Sequence, residues 1–174
     1  MKFICKKFNK TERVWIGLGS NLSNPRKQAN RAIWALSTLP MTQIIAVSSY
    51  YSSKPLGNKI QPNFLNAIII LDTGLSPETL LDYTQYIEKQ QGRIRTPNTI
   101  GSWQSRTLDL DILLFGKYTI YTDNLLIPHH GLFSREFVIY PLLELDKYFV
   151  FPNNKIITDF IKIIPKNNLM LWKN

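Results

Sequence analysis

Arg106-Thr-Leu-Asp-Leu-Asp-Ile-Leu-Leu-Phe115 decides how this 174-residue chain is read. Leu108, Leu110 and Ile112 alternate with Asp109 and Asp111, the period-2 pattern of a strand with one buried face. The two aspartates therefore point to the same side, roughly 7 Å apart by the rise of a strand. Carboxylates so placed repel each other unless water dilutes them or a cation sits between them. Two readings follow: the solvent face of an edge strand, or a pair of oxygen ligands for Mg²⁺. Arg106 directly upstream, with Arg93 and Arg95 before the intervening loop, favours the second, because acidic and basic groups gathered at a strand mouth fit a Mg²⁺–polyphosphate site.

Working outward from that strand gives the fold. Upstream, Val14-Trp-Ile-Gly-Leu-Gly19 is a short strand ending in glycines. Ser23 or Asn24 caps a helix whose first position is Pro25. Ala29, Ala32, Ile33, Leu36 and Leu39 then recur at helical spacing until Pro40. Gln43 to Tyr51 and Phe64 to Leu71 read as strands, separated by the loop from Ser52 to Lys59. Ser76-Pro77-Glu78 starts a second helix carrying Leu80, Leu81, Thr84, Ile87 and Glu88, with Gly92 at its end. Residues 93–105 form a long polar loop, and a loop of that length in a compact domain carries function or moves. Downstream, Gly116-Lys117 predicts a tight hairpin turn into Tyr118–Tyr121. The order strand, helix, strand, strand, helix, strand is that of an α+β protein with a ferredoxin-like βαββαβ core, an antiparallel sheet with helices packed on it. C-terminal additions follow: a helix near Ile139–Leu145, a short strand around Phe149–Phe151 and an amphipathic stretch at Ile156–Ile164. The expected organisation is a basic arm over residues 1–12, a single domain over 13–165 and a tail over 166–174.

Composition narrows the classes. The hydrophobic fraction of 44% and aromatic fraction of 12% are those of a globular domain with a proper core. No apolar run reaches the roughly 18–20 residues that span a bilayer. The N-terminal segment has basic residues but no apolar stretch of a secretory signal. The lone Cys5 excludes an internal disulfide framework and offers no zinc or redox motif. A cytoplasmic location is expected. The net charge of +9 reflects abundant lysines, scattered except at the two termini, while the fewer arginines are placed as a local phosphate site would need.

Other residues carry two readings each. Gly17-Leu-Gly19 follows a strand, yet no third glycine completes a dinucleotide fingerprint and no Gly-Lys-Ser/Thr marks a P-loop. A tight turn suits Gly17; Gly19 lets a flat ligand lie close to the backbone. His129 and His130 are the chain's two histidines, adjacent and without further ligands for zinc, which leaves a structural role or donation to a phosphate. Asn66 interrupts the apolar run Phe64-Leu-Asn-Ala-Ile-Ile-Ile70, on the same face as Phe64, and an amide beside a ring suits a flat heterocycle such as a pterin or purine. Trp103 sits in a polar loop where an indole has little core to join.

Taken together, Gly19-Ser-Asn-Leu22, Tyr51 with Pro55-Leu-Gly57, Gln61-Pro-x-Phe-Leu-Asn66, Glu88-x-x-x-Gly92-Arg93, Arg106-Thr-Leu-Asp-Leu-Asp111 and Pro128-His129 resemble the 6-hydroxymethyl-7,8-dihydropterin pyrophosphokinases of folate biosynthesis, from about Val14 to Phe151. The resemblance implies transfer of diphosphate from ATP to the 6-hydroxymethyl group of the dihydropterin, with AMP released. It implies that Asp109 and Asp111 hold two Mg²⁺ ions and that Arg93 and Arg106 are catalytic with them. Leu81, Gln85, Glu88, Arg93, Arg95, Arg106, Ile112, His129 and Arg135 are implied on the ATP side. Gly19, Ser53, Lys54, Leu56, Phe64, Asn66, Trp103 and Phe137 are implied around the pterin. The implied partners are these two small molecules, with no nucleic acid and no membrane, and the chain is expected to be a monomer. The chain departs from the family pattern in places: Phe64 stands where a tyrosine is common, Trp103-Gln-Ser-Arg106 replaces Trp-Gly-Pro-Arg, Asn124 and Leu126 replace an arginine and a threonine, and His130 replaces a frequent tyrosine.

Two rival readings exist. An RNA-binding module shares the βαββαβ order and the basic charge, but its aromatic sheet signature is missing and the aspartates would repel a phosphate backbone without metal. A member that keeps the fold but has lost activity is the other.

Overall fold

The computed structural model describes residues 11–57, 60–94, 104–167 and 169–173. Strand β1 (Glu12–Ser20) sends Val14, Ile16 and Leu18 to one face, where they are buried, and Trp15, Gly17 and Gly19 to the other. Helix α1 (Pro25–Ser37) begins where Asn24 Oδ1 accepts from the Lys27 amide at 3.1 Å, with Pro25 at the first helical position. Its face of Ala29, Ala32 and Leu36 packs on that side of the sheet. The segment expected as one strand over Gln43 to Tyr51 is two, β2 (Thr42–Val47) and β3 (Tyr51–Ser53). Ser48 explains the break. Its amide donates to the Ile68 carbonyl and its hydroxyl accepts from the Ile68 amide, each at 2.9 Å, so a side chain replaces one backbone rung.

Strand β4 (Phe64–Thr73) buries Leu65, Ala67, Ile69 and Leu71 towards the helices and turns Phe64, Asn66 and Ile68 to the opposite face. Helix α2 (Pro77–Gln90) is capped by Ser76 Oγ accepting from the Thr79 amide at 3.2 Å. It ends at Gly92, whose φ of +83° turns the chain back, and the Arg93 amide donates to the Glu88 carbonyl at 3.0 Å. Strand β5 (Asp109–Phe115) lies at the edge of the sheet, antiparallel to β1, with Leu110 and Ile112 facing the helices. A register shift between Trp15 and Ile16 lets both Leu113 and Leu114 face away from them.

The sheet order is β5-β1-β4, with β2 and β3 both along the far edge of β4, all antiparallel. This is the ferredoxin-like arrangement. The turn at Gly116 forms, with the Tyr118 amide donating to the Phe115 carbonyl at 2.9 Å. The strand after it does not return to β5, however: β6 (Ile120–Tyr121) pairs with β7 (Leu126–Ile127) as a separate ribbon. Helix α3 (Glu136–Leu145) and the short α4 (Ile157–Ile161) cover the second face of the sheet through a core of Ile68, Leu113, Leu114, Val138, Ile139, Leu142 and a cluster of phenylalanines. Phe149–Phe151 forms no strand; a single bridge joins Val150 to Ile156. The expected amphipathic stretch narrows to the five residues of α4. The segment read as a tail contributes β8 (Met170–Leu171), paired with β3, and the Trp172 amide donates to the Tyr50 carbonyl at 2.8 Å. Of the expected N-terminal arm, Glu12 belongs to β1, and residues 1–10 lie outside the described residues. Among the described residues, no helix is long and apolar enough to cross a membrane.

Candidate active site

Helices α3 and α4 cover only part of the second face. At the uncovered end, Gly17 and Gly19 of β1, Asn66 of β4, and Asp109 and Asp111 of β5 line one cavity, walled by Ser53, Lys54, Leu56, Phe64, Phe137, Arg106 and Arg135. Its space, mouth included, is about 670 Å³. Every residue expected around a pterin lies on this wall except Trp103, which is outside the described residues, as is Arg95. The sequence did not single out Leu18, Ala67, Ile68, Leu113 and Val138, which also line it; apolar strand and helix residues give no local sign of which cavity they border.

Asn66 is buried, at 5% exposure, and its Nδ2 donates to Ser53 Oγ at 2.9 Å and to the Phe64 carbonyl at 3.3 Å. That orientation turns Oδ1 toward Gly19, where a side chain would begin 3.7 Å away. Glycine at position 19 leaves the cavity floor open. The ring of Phe64 carries the Arg106 guanidinium 5.3 Å from its centroid, and Phe137 carries that of Arg135 at 5.9 Å. Both rings thus stand between an apolar wall and a cation.

The charged half of the site is built by the end of α2 and by β5. Glu88, 1% exposed, accepts from the Leu110 amide at 2.8 Å and from Arg93 Nη1 at 3.0 Å. Arg93 Nη1 also reaches the Leu108 carbonyl at 3.0 Å and makes a close ion pair with Asp109. Burial works against the Arg93 charge, but Asp109 and Glu88 outweigh it and hold the guanidinium more firmly protonated than usual. Arg106 Nε lies 3.0 Å from Asp109 Oδ2, off the N–H direction, so this buried nitrogen makes no hydrogen bond. Asp111 is more open, with 36% of its side chain exposed; Arg135 Nη1 and His129 Nε2 each lie 3.9 Å from its Oδ2. Burial, and then the charge of Asp109, push its carboxyl up to about 7. The two aspartates share a face yet are unequal: one is engaged by arginines, the other holds an undercompensated charge.

His129 is neutral by two arguments. Burial, with His130 and Arg135 nearby, lowers it to about 4. Its Nδ1 also accepts from the Gly131 amide at 3.1 Å, which assigns the proton to Nε2. Gln85, Glu88 and Arg93 border a second depression with Tyr86 and Lys89, on the α2 side. Leu81 packs against the helix-side core and Ile112, 3% exposed, lies within it, so only its backbone is left to meet a ligand.

Sequence reasoning assigned no role to Asn21 beyond the motif that contains it. The structure makes it the anchor of this end of the sheet. Its amide donates to the Arg106 carbonyl at 3.0 Å, its Oδ1 accepts from the Arg106 amide at 2.8 Å, and its Nδ2 faces the Pro62 carbonyl and Ser105 Oγ, each at 3.2 Å. The Gly17-Leu-Gly19-Ser-Asn21 run marks the position, but nothing local in it names Arg106 as the partner. Among the described residues, no three or more His, Cys, Asp and Glu side chains converge as a metal cage.

A profile of the 7,8-dihydro-6-hydroxymethylpterin-pyrophosphokinase (HPPK) family matches residues 15–147. The chain is 47% identical over 149 residues to the 2-amino-4-hydroxy-6-hydroxymethyldihydropteridine pyrophosphokinase of Haemophilus influenzae, covering 86% of this chain and 91% of that one. To the enzyme of the same name from Pseudomonas aeruginosa it is 43% identical over 154 residues, covering 88% and 93%. Among solved structures, wild-type Plasmodium falciparum HPPK-DHPS with pteroate superposes with a TM-score of 0.68 at 16% identity, over 90% of this chain and 43% of that one. This chain spans less than half of that longer protein, and the likeness there is one of fold. On the profile and the close relatives together, the chain belongs to the 7,8-dihydro-6-hydroxymethylpterin-pyrophosphokinase family.

Proposed function

We propose that this protein transfers the β,γ-diphosphoryl group of ATP to the 6-hydroxymethyl oxygen of 6-hydroxymethyl-7,8-dihydropterin, a step in tetrahydrofolate synthesis. The observation that carries the reading is the direct junction of an amide-and-aromatic cavity with two carboxylates and three arginines at one end of a sheet. The pterin lies over Gly19, between Phe64 and Phe137, with Asn66 Oδ1 accepting from its N–H edge and Ser53, Lys54 and Leu56 closing the side; the resemblance adds Trp103. ATP approaches from the α2 side past Leu81, Gln85 and Glu88, along the free edge of β5 at Ile112, with its phosphates toward Arg93, Arg106 and Arg135, and Arg95 by resemblance.

Asp109 and Asp111 fit Mg²⁺. They are hard oxygen donors on one face, and the undercompensated charge on Asp111 is what a bound cation would relieve. With few protein ligands at hand, two ions would complete their shells from phosphate oxygens and water. When bound, the metal supplies neutralisation of charge on the transferring group. The chain's own part is alignment. The arginines orient the phosphates by bidentate contacts, and neutral His129 offers Nε2–H to a phosphate oxygen. The new bond joins the hydroxymethyl oxygen to the β-phosphorus; the bond from that phosphorus to the oxygen bridging the α-phosphorus breaks, and that oxygen leaves with AMP. The hydroxyl proton goes to solvent. Alignment and charge cancellation supply most of the rate in such a reaction.

The same reading takes β1 through β8 as one catalytic domain, acting as a cytoplasmic monomer on small molecules. The deciding experiment is AMP formation from ATP and 6-hydroxymethyl-7,8-dihydropterin. AMP release that needs both pterin and Mg²⁺ is the expected result; none, with both ligands bound, would identify an inactive member of the family.

A further inference from the structure

The turn between β7 and α3 carries an arrangement that the reaction does not itself explain. Arg135 Nη2 lies 3.1 Å from His130 Nε2. That contact is a hydrogen bond only if the ring nitrogen offers a lone pair, and burial, with Arg135 close by, lowers His130 toward the neutral form. His130 in turn lies against His129, with ring centroids 4.2 Å apart and planes tilted by 40°. His129 is fixed from the other side by the Gly131 amide. Gly131 matters a second time: a side chain there would overlap Nε, Cζ and Cδ of Arg135, so the guanidinium arm lies directly on the bare backbone. The Phe137 ring, 5.9 Å away, limits the remaining side. The result is an arginine fixed by three neighbours, with Nη1 directed at Asp111 from 3.9 Å.

We propose that His130 and Gly131 are positioning residues, which together hold the Arg135 guanidinium at the cavity mouth, aimed at the phosphates. An arginine side chain has four rotatable bonds, and fixing it before the ligand arrives removes an ordering cost from binding. The inference rests on the proposed binding of ATP phosphates near Asp111, and both positioning residues act only through Arg135. His130 stands where the family commonly has a tyrosine, so this arrangement is a feature of this chain rather than of the pattern that identified it.

The test is a double-mutant cycle on the full-length protein, read as the Kd of MgATP by titration calorimetry without pterin, with urea unfolding as a check on folding. His130→Leu removes the acceptor and Gly131→Ala displaces the arginine; each is expected to weaken MgATP binding about tenfold, the worth of one charge-assisted hydrogen bond. His130→Gln, which restores an acceptor, is expected to recover most of it. In an Arg135→Ala background, neither His130→Leu nor Gly131→Ala should weaken binding further. Equal losses with and without Arg135, or wild-type affinity in both single variants, would overturn the inference. Should the wild type bind MgATP but release no AMP with pterin, the activity falls while the cycle still decides the positioning. Should it bind no MgATP, both fall.

Discussion

Asp109→Asn and Asp111→Asn remove the same charge two residues apart, and the structure gives their effects on stability opposite signs. Asp111 rises from its ordinary 3.8 to about 7 in the folded protein, through burial and the charge of Asp109. In a fully buried group such a rise would correspond to roughly 4 kcal/mol of unfavourable charging at high pH. With 36% of the side chain exposed and cations nearby, screening reduces this to about 1–2 kcal/mol. A raised carboxyl binds protons in the folded state that the unfolded chain has released. Wild-type stability is therefore lost between about pH 4 and pH 7 and stays lost above. Asp111→Asn escapes that loss, so in EDTA at pH 8 it should be more stable than wild type by about 1–2 kcal/mol, and near pH 4 the two should coincide. Asp109, 14% exposed, is the partner of Arg93 and Arg106. Asparagine there leaves buried guanidinium charge less compensated and should cost about 1–3 kcal/mol. Both variants should lose nearly all diphosphate transfer. Urea unfolding followed by tryptophan fluorescence at pH 5 and pH 8, beside an AMP-release assay, measures every term. An Asp111→Asn protein as destabilised as Asp109→Asn at pH 8, or a gain that does not grow with pH, would refute the reasoning.

Arg93→Ala should slow transfer by two orders of magnitude or more while pterin affinity holds within about threefold, because the arginine faces the charged half of the site; stopped-flow transfer and pterin fluorescence titration separate the two. Glu88→Ala should destabilise by about 3 kcal/mol, since it orphans the buried Leu110 amide and removes one carboxylate from Arg93, whereas Glu88→Gln, which keeps an acceptor, should cost about half as much in urea. Gly19→Ala places its Cβ at 3.7 Å from its neighbours, ordinary contact, so stability should change by less than about 1 kcal/mol while calorimetry shows weakened pterin binding. Deleting residues 169–174 removes β8 and the buried Leu169 and should lower stability by about 2–3 kcal/mol, seen as a lower urea midpoint.

What was legible in the sequence was what local periodicity and capping determine. The alternation around Asp109 and Asp111 gave both the strand and the shared face, and Asn24-Pro25 and Ser76-Pro77 marked two helix starts that the structure keeps. Several of the misreadings involve pairing between distant positions. Nothing near Gln43–Tyr51 announces that Ser48 takes over a rung from Ile68, nor does Met170-Leu171 announce a partner in β3. Turn chemistry at Gly116 was read correctly, but the strand after it pairs forward across the turn at 122–125 with β7, and two-residue strands are too short to show a period. The site divides in the same way. Asn66 stood out as an amide within an apolar run; Asn21 holds Arg106 from 85 positions away, and no local pattern encodes that separation.

The position of the site follows from the same alternation that made the fold. One face of the sheet is apolar along its whole length and accepts α1 and α2. The other is most apolar around Ile68, Leu113 and Leu114, where α3 and α4 pack. The remainder carries glycines on β1, an amide on β4 and carboxylates on β5, which an apolar helix could cover only by burying unpaired charge. Exposure of that end is thus forced by its residues, and its charges must be satisfied from within. Arg93 and Arg106 do so for Glu88 and Asp109, while Arg135, 3.9 Å from Asp111, offsets that carboxylate only in part. On the proposed reading a metal–polyphosphate carries both signs as well, so its binding would exchange one set of pairs for another, phosphate oxygens for the arginines and the cation for the aspartates. ATP without metal could make only half of that exchange and would leave carboxylates uncompensated at the mouth of the cavity. On the proposed reading, dependence on Mg²⁺ follows from the charge balance of the free site.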